Sequence, residues 1–167
     1  MSKDHLRLMA NYNIWATDKL VQQLESMPVK ALQQDCGLFF NSIFGTLNHL
    51  LLGEHYIWYP RFAEGVSPAL ALNQIVETDP TVLLQALREK SNNWVDFIGQ
   101  LDATTLAGCL SYTTTAGQHL SLPYAATLMH VFNHGTHHRG QVSAAITAMG
   151  YDCPELDMVY MLREQMH

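Results

Sequence analysis

The chain carries four of its nine histidines within the nine residues from His130 to His138. In a helix, side chains four residues apart lie on the same face, one turn from each other. His130, His134 and His138 therefore form one stripe, and two imidazoles spaced in this way can bind the same metal ion. The spacing does not distinguish the pair His130/His134 from the pair His134/His138. A pair also leaves the coordination sphere incomplete, so a third ligand must come from another element.

The alternative interpretation of this histidine-rich segment is a solvated helix face, because an isolated pair at this spacing often occurs by chance. Gly135 and Gly140 argue against it, since each glycine inside a helix costs about 1 kcal/mol relative to alanine. Residues that are unfavourable inside an otherwise regular helix indicate a functional or tightly packed position. We therefore favour a metal site over a solvated face.

The helix that carries these histidines is predicted to run from about Pro123 to Met149. Proline suits the first helical position, and Ser121 just before it is a candidate cap. Gly150 suits the position after the helix end. The histidines would then occupy the middle of a long helix, where neighbouring helices can approach them.

Apolar periodicity and turn residues predict three more long helices, at about 4–27, 42–64 and 80–101. Ser2, Asn41 or Ser42, and Asp79 are candidate caps for them, and Pro28 and Gly65 follow the first two. Smaller elements are a helical turn within 29–40, a hairpin of 110–114 and 118–122, and a last helix over 154–164. The predicted fold class is all-α: a four-helix bundle with a small β-hairpin before its last long helix.

Composition and charge exclude several classes of partner. The 167 residues suffice for one domain, predicted to span 1–167, and 48% of them are apolar while 14% are charged. The net charge is −6 and no Lys/Arg cluster occurs, so we expect no nucleic-acid partner. Apolar runs such as residues 50–52 are far too short to span a bilayer, and no signal-peptide pattern is visible. We expect a soluble, cytoplasmic protein without a membrane partner.

The three cysteines, Cys36, Cys109 and Cys153, are far apart in the sequence and odd in number. They form no C-x-x-C pair and no disulfide framework, which fits a reducing compartment. We expect each of them to be a small buried or half-buried residue.

His49 lies in the second predicted helix, in phase with the apolar residues Leu52 and Tyr56. A single histidine on an apolar face is more often a hydrogen-bonded core residue than a ligand. Bundles, however, place metal sites on the inner faces of facing helices, and another helix of this chain offers a histidine pair. We therefore predict His49 as a candidate third ligand, whereas His55, on a different face, is predicted to be exposed.

Three stretches resemble the DinB/YfiT family: Asn-Tyr-Asn-Ile-Trp-Ala at 11–16, Leu-Asn-His-Leu-Leu-Leu-Gly-Glu with a later Trp at 47–58, and His-Val-Phe-Asn-His-Gly-Thr-His-His-Arg-Gly-Gln at 130–141. The resemblance spans nearly the whole chain. It implies an up-down-down-up four-helix bundle, a homodimer, and one divalent metal ion such as zinc or nickel. The ligands that it implies are His49, His134 and His138. Characterised relatives include bacillithiol transferases and a mycothiol-dependent isomerase, and many members have no assigned reaction.

Three neutral imidazoles leave the fourth position of a tetrahedral ion open, as in catalytic zinc sites. A low-molecular-weight thiol bound there would be held as thiolate and could attack an electrophile. A water bound there, with its pKa lowered to about 7, could instead act as a hydrolytic nucleophile. The family favours the thiol as a co-substrate, and the residues permit both.

No catalytic residue can be assigned from the sequence, and Glu54 and Arg139 are its weak candidates. Glu54 lies five residues after His49, so it could reach the site as a general base, or be a surface carboxylate paired with a cation. Arg139 could hold a substrate carboxylate through its guanidinium fork, although an ion pair within the fold is the commoner fate.

Other residues near the motifs are candidates to orient the ligands or to line the pocket. Asn133 and Gln141 are candidates to orient imidazoles, and His130 and His137 are candidates to line the pocket. Four aromatic residues could wall it, with core packing as the alternative for each: Tyr12, Trp15, Tyr56 and Trp58.

Three functions remain open at this stage. The first, which we favour, is a metal-dependent enzyme that acts on a small-molecule substrate: a thiol transferase using small electrophiles, with a metal-dependent hydrolase as its variant. The second is a non-catalytic metal-binding protein of the stress response. The third is a scaffold in which the bundle and its dimer interface matter and the metal does not.

Overall fold

The structure, a computed structural model, describes residues 2–166 and is dominated by helices. In chain order the elements are α1 Lys3–Glu25, α2 Val29–Gln33, α3 Ile43–Leu51, a π-helical segment Leu52–Trp58, α4 Tyr59–Ala63, α5 Pro80–Ser91, α6 Asn93–Gln100, α7 Ala103–Ala107, β1 Cys109–Thr113, β2 His119–Pro123, α8 Tyr124–Ala148 and α9 Met158–Glu164. The second long helix is thus continuous from 43 to 63, with the π-helical segment in its middle. The predicted all-α bundle with one small hairpin is confirmed.

The four long helices form an up-down-down-up bundle. α1 packs against α5, α6 and α8, while α3 packs against α5 and α8, so the first and second long helices lie on a diagonal. The second and third long helices run in the same direction, which requires the long connection over residues 64–79. α3 and α8 are neighbours in this arrangement, and the histidine-rich helix therefore faces His49.

Side-chain caps and turn glycines set most of the helix ends as predicted. Ser42 accepts a hydrogen bond from the Gly45 N–H at 3.0 Å, and Asp79 accepts from the N–H groups of Thr81 and Val82. Ser2 caps α1 in the same way. Gly65 and Gly150 follow their helices with φ of +67° and +81°, a conformation that glycine adopts without steric cost.

The start of α8 differs from the prediction. Pro123 is the N-cap, with extended backbone, and not the first helical residue. Ser121 lies in β2 and caps nothing, because the antiparallel pairing with Ser111 keeps it in the strand. The hairpin runs directly into the helix and carries Tyr112 on its other strand.

Two other helices also differ from their predicted bounds. The third long helix divides into α5 and α6 at Asn92, whose side-chain amide donates to the carbonyls of Arg88 and Glu89 and competes with the helical backbone bonds. The last helix begins at Met158 instead of Pro154. Upstream of it, the Leu156 carbonyl accepts a hydrogen bond from the Tyr12 hydroxyl at 2.8 Å, which holds this stretch extended along α1.

Two large apolar clusters form most of the core of the bundle, beside a smaller third one where α9 packs on α1. One includes Leu47, Leu83 and Val142, and the other surrounds Trp94 and includes Phe132. Along α8, residues 134–139 therefore lie between the two clusters, where polar side chains interrupt the apolar packing. Within residues 2–166, none of the helices combines the length and the hydropathy needed to cross a bilayer.

Candidate metal centre and its pocket

His49, His134 and His138 bring their ring nitrogens together between α3 and α8. The Nε2 atom of His134 lies 3.2 Å from that of His49 and 3.1 Å from that of His138. One nitrogen from each ring can be chosen so that all three lie within 4.8 Å of one another. We call these three residues the histidine triad. Their arrangement could hold a metal ion.

Hydrogen bonds on the far side of two rings determine which nitrogen is free. The His49 Nδ1 atom lies 2.7 Å from the Leu72 carbonyl, which can only accept, so Nδ1 carries the proton. The His138 Nδ1 atom lies 2.8 Å from Gln141 Oε1 and donates to it in the same way. Both Nε2 atoms therefore direct lone pairs toward His134. The His134 Nδ1 atom is buried and has no hydrogen-bond partner within residues 2–166.

This donor set fits a divalent ion. Zinc–nitrogen bonds of 2.0–2.1 Å at tetrahedral angles separate the ligand nitrogens by about 3.3 Å, close to the spacing here. Burial, together with neighbouring histidines, lowers the pKa of His134 to about 3 and that of His138 to about 4, although the hydrogen bond to Gln141 opposes the shift of His138. Burial also lowers the pKa of His49. Three neutral imidazoles at neutral pH are the protonation state that metal ligation needs.

Close packing fixes the rings of the triad. Phe40 stacks on His49 with ring centroids 4.0 Å apart and an interplanar angle of 19°. Phe40 can sit there because Gly45 has no side chain: a Cβ at that position would overlap the Phe40 carbonyl oxygen. Two turns further along the same helix, a Cβ at Gly53 would lie 3.3 Å from His134 Cε1. Both glycines therefore make room for groups that position the triad.

A pocket of about 310 Å³ opens beside the triad. His49 and His134 form part of its wall, which continues over the π-helical segment and the hairpin. The remaining lining residues are Gly53, Ile57, Trp58, Arg61, Leu72, Tyr112, Thr114, Thr115 and His130. Trp58 packs edge-on against both Tyr112 and His130, with ring centroids 5.2 and 5.4 Å away. The triad is therefore accessible to a small molecule from one side.

Comparison with known proteins agrees with this architecture. The model of the DinB family matches residues 1–166 of the chain. The chain belongs to the DinB family. Protein DinB of Bacillus subtilis (strain 168) is 27% identical over 146 residues, which cover 84% of this chain and 83% of that protein.

A solved structure shares the fold of this DinB-family chain. YfiT from Bacillus subtilis superimposes with a TM-score of 0.71 at 18% sequence identity, covering 91% of each chain. That protein is described as a probable metal-dependent hydrolase with an unusual four-helix bundle topology. At this level of identity the likeness shows the shared fold.

The two weak catalytic candidates do not line the pocket. Glu54 is 2% exposed and accepts a hydrogen bond from Asn13 Nδ2 at 3.0 Å, so the surface-carboxylate alternative is wrong. Arg139 is also 2% exposed and donates to Asn13 Oδ1 and to Thr17. Arg139 is thus internal, as the commoner alternative predicted, but among residues 2–166 its partners are neutral side chains and no carboxylate oxygen lies within 4.0 Å of it. We call Asn13, Glu54 and Arg139 the core network.

The core network has its own electrostatics. Burial raises the pKa of Glu54 from its ordinary value of 4.5 to about 7, although Arg139 and Asn13 oppose this rise. His55, which was predicted to be exposed, is buried next to it, because the π-helical segment turns residue 55 toward the core. Its Nε2 atom lies 3.6 Å from Glu54 Oε2. Burial lowers the pKa of His55 to about 3, so this contact is not an ion pair at neutral pH.

The other family-motif residues divide between the pocket and the rest of the molecule. Gln141 orients His138 as predicted, whereas Asn133 is exposed and His137 lies on the outer surface. His130 and Trp58 line the pocket. The other three aromatic candidates lie elsewhere: Tyr12 under Arg139, Trp15 on Glu164, and Tyr56 beside Lys90.

Several residues of the site are not apparent from the sequence, and one cysteine lies where it was not predicted. Leu72 contributes a backbone carbonyl, which no sequence pattern reveals. Arg61 and Tyr112 reach the pocket from α4 and β1. The one sequence signal for Arg61 is its position about one helical turn after Trp58, which places the two side chains on the same face. Cys109 is exposed at the start of β1, contrary to the prediction, whereas Cys36 and Cys153 are half-buried.

Proposed function

We propose that this DinB-family chain is a metal-dependent enzyme that binds one divalent ion, zinc or nickel, through His49, His134 and His138. The observation that carries the proposal is the convergence of the three Nε2 atoms at one end of an open pocket. A buried structural ion would not need such access, whereas an ion that acts on a substrate does. The substrate would be a small molecule bound in this pocket.

The chain's own residues prepare this site for chemistry. A divalent ion supplies a Lewis acid that holds a thiol as thiolate or makes a water molecule more acidic. Leu72 and Gln141 hold two rings in the tautomer that presents Nε2, and Phe40 holds the plane of His49. Burial lowers the pKa of His130, so this pocket residue is neutral at pH 7 and can accept a proton.

The reaction that we propose is transfer of a low-molecular-weight thiol to a small electrophile. The sequence resemblance to thiol-using members of the family supports it, and so does the apolar wall of Ile57, Trp58 and Leu72 that the apolar part of an electrophile could contact. Hydrolysis is the second candidate. The description of YfiT as a probable metal-dependent hydrolase favours it, and the same donor set can serve a water molecule.

The test uses protein purified without a histidine tag and loaded separately with zinc or nickel. Metal content is measured first, since one ion per chain is expected. The loaded protein is then assayed with bacillithiol, glutathione or coenzyme A plus 1-chloro-2,4-dinitrobenzene, and with 4-nitrophenyl acetate alone. Thiol-dependent conjugation above the metal-free control supports transfer, and ester cleavage alone supports hydrolysis. Metal binding without either rate would favour the non-catalytic stress-response function, and no metal binding would favour the scaffold.

Two further predictions concern the oligomeric state and the cellular location. We propose that the protein is a homodimer in the cytoplasm, as the family resemblance and the composition indicate. Light scattering coupled to size-exclusion chromatography measures the first, and fractionation of cells expressing the chain measures the second. A monomer at micromolar concentration would contradict the predicted dimer.

A further inference from the structure

Arg61 is a buried cation on the wall of the pocket. Arg61 is 5% exposed, and its guanidinium lies against two aromatic rings that also contact each other, 4.7 Å from the Trp58 centroid and 4.6 Å from the Tyr112 centroid. These cation–π contacts restrict the motion of the guanidinium. The group is thus both positioned and largely removed from bulk water.

The hydrogen-bonding capacity of Arg61 is mostly unused. A guanidinium has five N–H donors, and the one bond that Arg61 makes within residues 2–166 runs from Nη2 to the Thr113 carbonyl at 2.9 Å. The Nε atom is buried and has no partner among the same residues. A buried donor without a partner is costly, so a group that accepts these bonds would be stabilised here.

The charge of Arg61 is also uncompensated. Within residues 2–166, no carboxylate oxygen lies within 4.0 Å of its guanidinium. The other buried arginine, Arg139, is different, because it faces Glu54 and donates to Asn13, Thr17 and Thr136. Neither arginine has a carboxylate oxygen within 4.0 Å among residues 2–166, but Glu54 acts on the charge of Arg139, whereas no carboxylate acts on Arg61 in this way.

The position of Arg61 connects this observation with the triad. Arg61, His49 and His134 line the same pocket, and the wall near Arg61 is made of aromatic side chains. A ligand with a planar anionic group and an apolar body would satisfy the unused donors and contact Trp58 and Tyr112. Carboxylates match the guanidinium fork in shape and charge.

We propose that Arg61 forms an anion subsite of this pocket and that the substrate is a small organic carboxylate with an aromatic or other apolar body. The proposal deepens the proposed function, because it takes this pocket as the place where substrate binds. Arg61 would position the substrate by its carboxylate, leaving the remainder of the molecule to face the triad.

The test compares benzoate with benzamide, which has nearly the same shape but no charge. Dissociation constants are measured by NMR titration for the wild type, Arg61→Gln, Arg61→Lys and the control Arg163→Gln. Arg163 lies over the Tyr160 ring on α9 and is exposed, so it is a stacked arginine outside the pocket. Every protein is measured with metal and after removal of the metal with a chelator, and its metal content and thermal unfolding are recorded.

We expect benzoate to bind the wild type at least ten-fold more tightly than benzamide, with or without metal. Arg61→Gln should lose this preference while its affinity for benzamide stays the same, Arg61→Lys should keep part of it, and Arg163→Gln should keep all of it. A merely structural role of Arg61 would weaken both ligands equally and would overturn the proposal. A wild type that binds benzoate and benzamide equally tightly would also overturn the proposal, and this result does not depend on the folding of any variant.

The outcomes also separate this proposal from the proposed function. If the preference for benzoate disappears on metal removal and is unaffected by Arg61→Gln, the carboxylate binds at the triad and the anion subsite is refuted, while the metal site stands. If no metal binds but the preference persists and depends on Arg61, the anion subsite stands and the proposed function fails.

Discussion

The histidine triad and the core network lie on the same helices, yet they have opposite character. His134 and His138 belong to the triad, while Gly135 and Arg139, the next residue after each, border or form the core network. Gly53 and Glu54 show the same division on the second long helix. Successive residues of a helix point about 100° apart, so one motif serves both a pocket wall and a core.

The two regions differ in the partners that their polar side chains have. The core network bonds largely within itself, since Asn13 donates to Glu54 and accepts from Arg139, although Glu54 Oε1 and Arg139 Nε have no hydrogen-bond partner within residues 2–166. The triad does not satisfy itself, because the free Nε2 atoms of His49 and His138 face a third nitrogen. Polar groups that satisfy one another stabilise or specify a fold, whereas lone pairs that converge need a ligand. We therefore expect metal binding to depend on the triad and folding to depend on the core network.

The strongest test of this division is the loss of one triad imidazole. We expect His134→Ala to weaken zinc binding at least a hundred-fold, because two ligands remain of three. His137→Ala, which removes an exposed histidine of the same helix, should leave the affinity unchanged. Both affinities are measured by competition with a chromophoric chelator. Equal affinities in the two variants would show that the triad does not hold the ion.

The converse test fills the space beside the core network. A Cβ at Gly135 would overlap Glu54 Oε1 and lie 2.9 Å from Asn13 Oδ1, so Gly135→Ala should destabilise the metal-free protein by about 2–4 kcal/mol. Gly140→Ala is the matched control, since no atom lies within 4 Å of its Cβ position. It should stabilise by up to about 1 kcal/mol through helix propensity. Urea unfolding measures both, and a harmless Gly135→Ala would mean that the network readily rearranges.

The pH dependence of stability sharpens the comparison further. The pKa of Glu54 is raised in the folded state from 4.5 to about 7, so the folded protein binds this proton more tightly than the unfolded chain does. The stability that this proton contributes is fully present below about pH 4.5 and is lost as the pH rises through about 7. In this window the free energy of unfolding should fall by up to about 1.4 kcal/mol per pH unit.

Glu54→Gln mimics the protonated carboxyl group and should remove that loss. Metal-free wild type and variant should therefore be similar in stability near pH 4.5, with the variant becoming the more stable one as the pH rises. Glu64→Gln, at an exposed position just after α4, should keep the wild-type profile. A wild type that gains stability over Glu54→Gln with rising pH would show that the electrostatic attraction of Arg139 for the Glu54 carboxylate outweighs burial.

Periodicity and residue spacing predicted some of the features that distinguish the triad from the core network. Helix caps such as Ser42 and Asp79, and the facing of His49 toward the histidine-rich helix, follow from local patterns. Glu54 and His55 were misplaced because a π-helical segment shifts the direction of side chains, and a count of 3.6 residues per turn cannot detect it. Arg61 and Leu72 depend on tertiary contacts, which a single sequence does not reveal.

The smallest effect should come from a change that loosens the loop over residues 64–79, which contacts the triad through the Leu72 carbonyl. Asn48 is fully buried, and its Oδ1 atom accepts hydrogen bonds from the N–H groups of Val76 and Glu77, both at 2.9 Å. These bonds hold the loop whose Leu72 carbonyl orients the His49 ring.

Asn48→Ala should therefore weaken zinc binding by about ten-fold, the lower end for residues that support a metal ligand. Asn73→Ala, an exposed asparagine of the same loop, should change nothing. The measurement is the same chelator competition as for His134→Ala, with thermal unfolding of the metal-free protein alongside it. An unchanged affinity in a destabilised Asn48→Ala would assign the loop to the fold alone, and the orientation of His49 would then depend on Phe40.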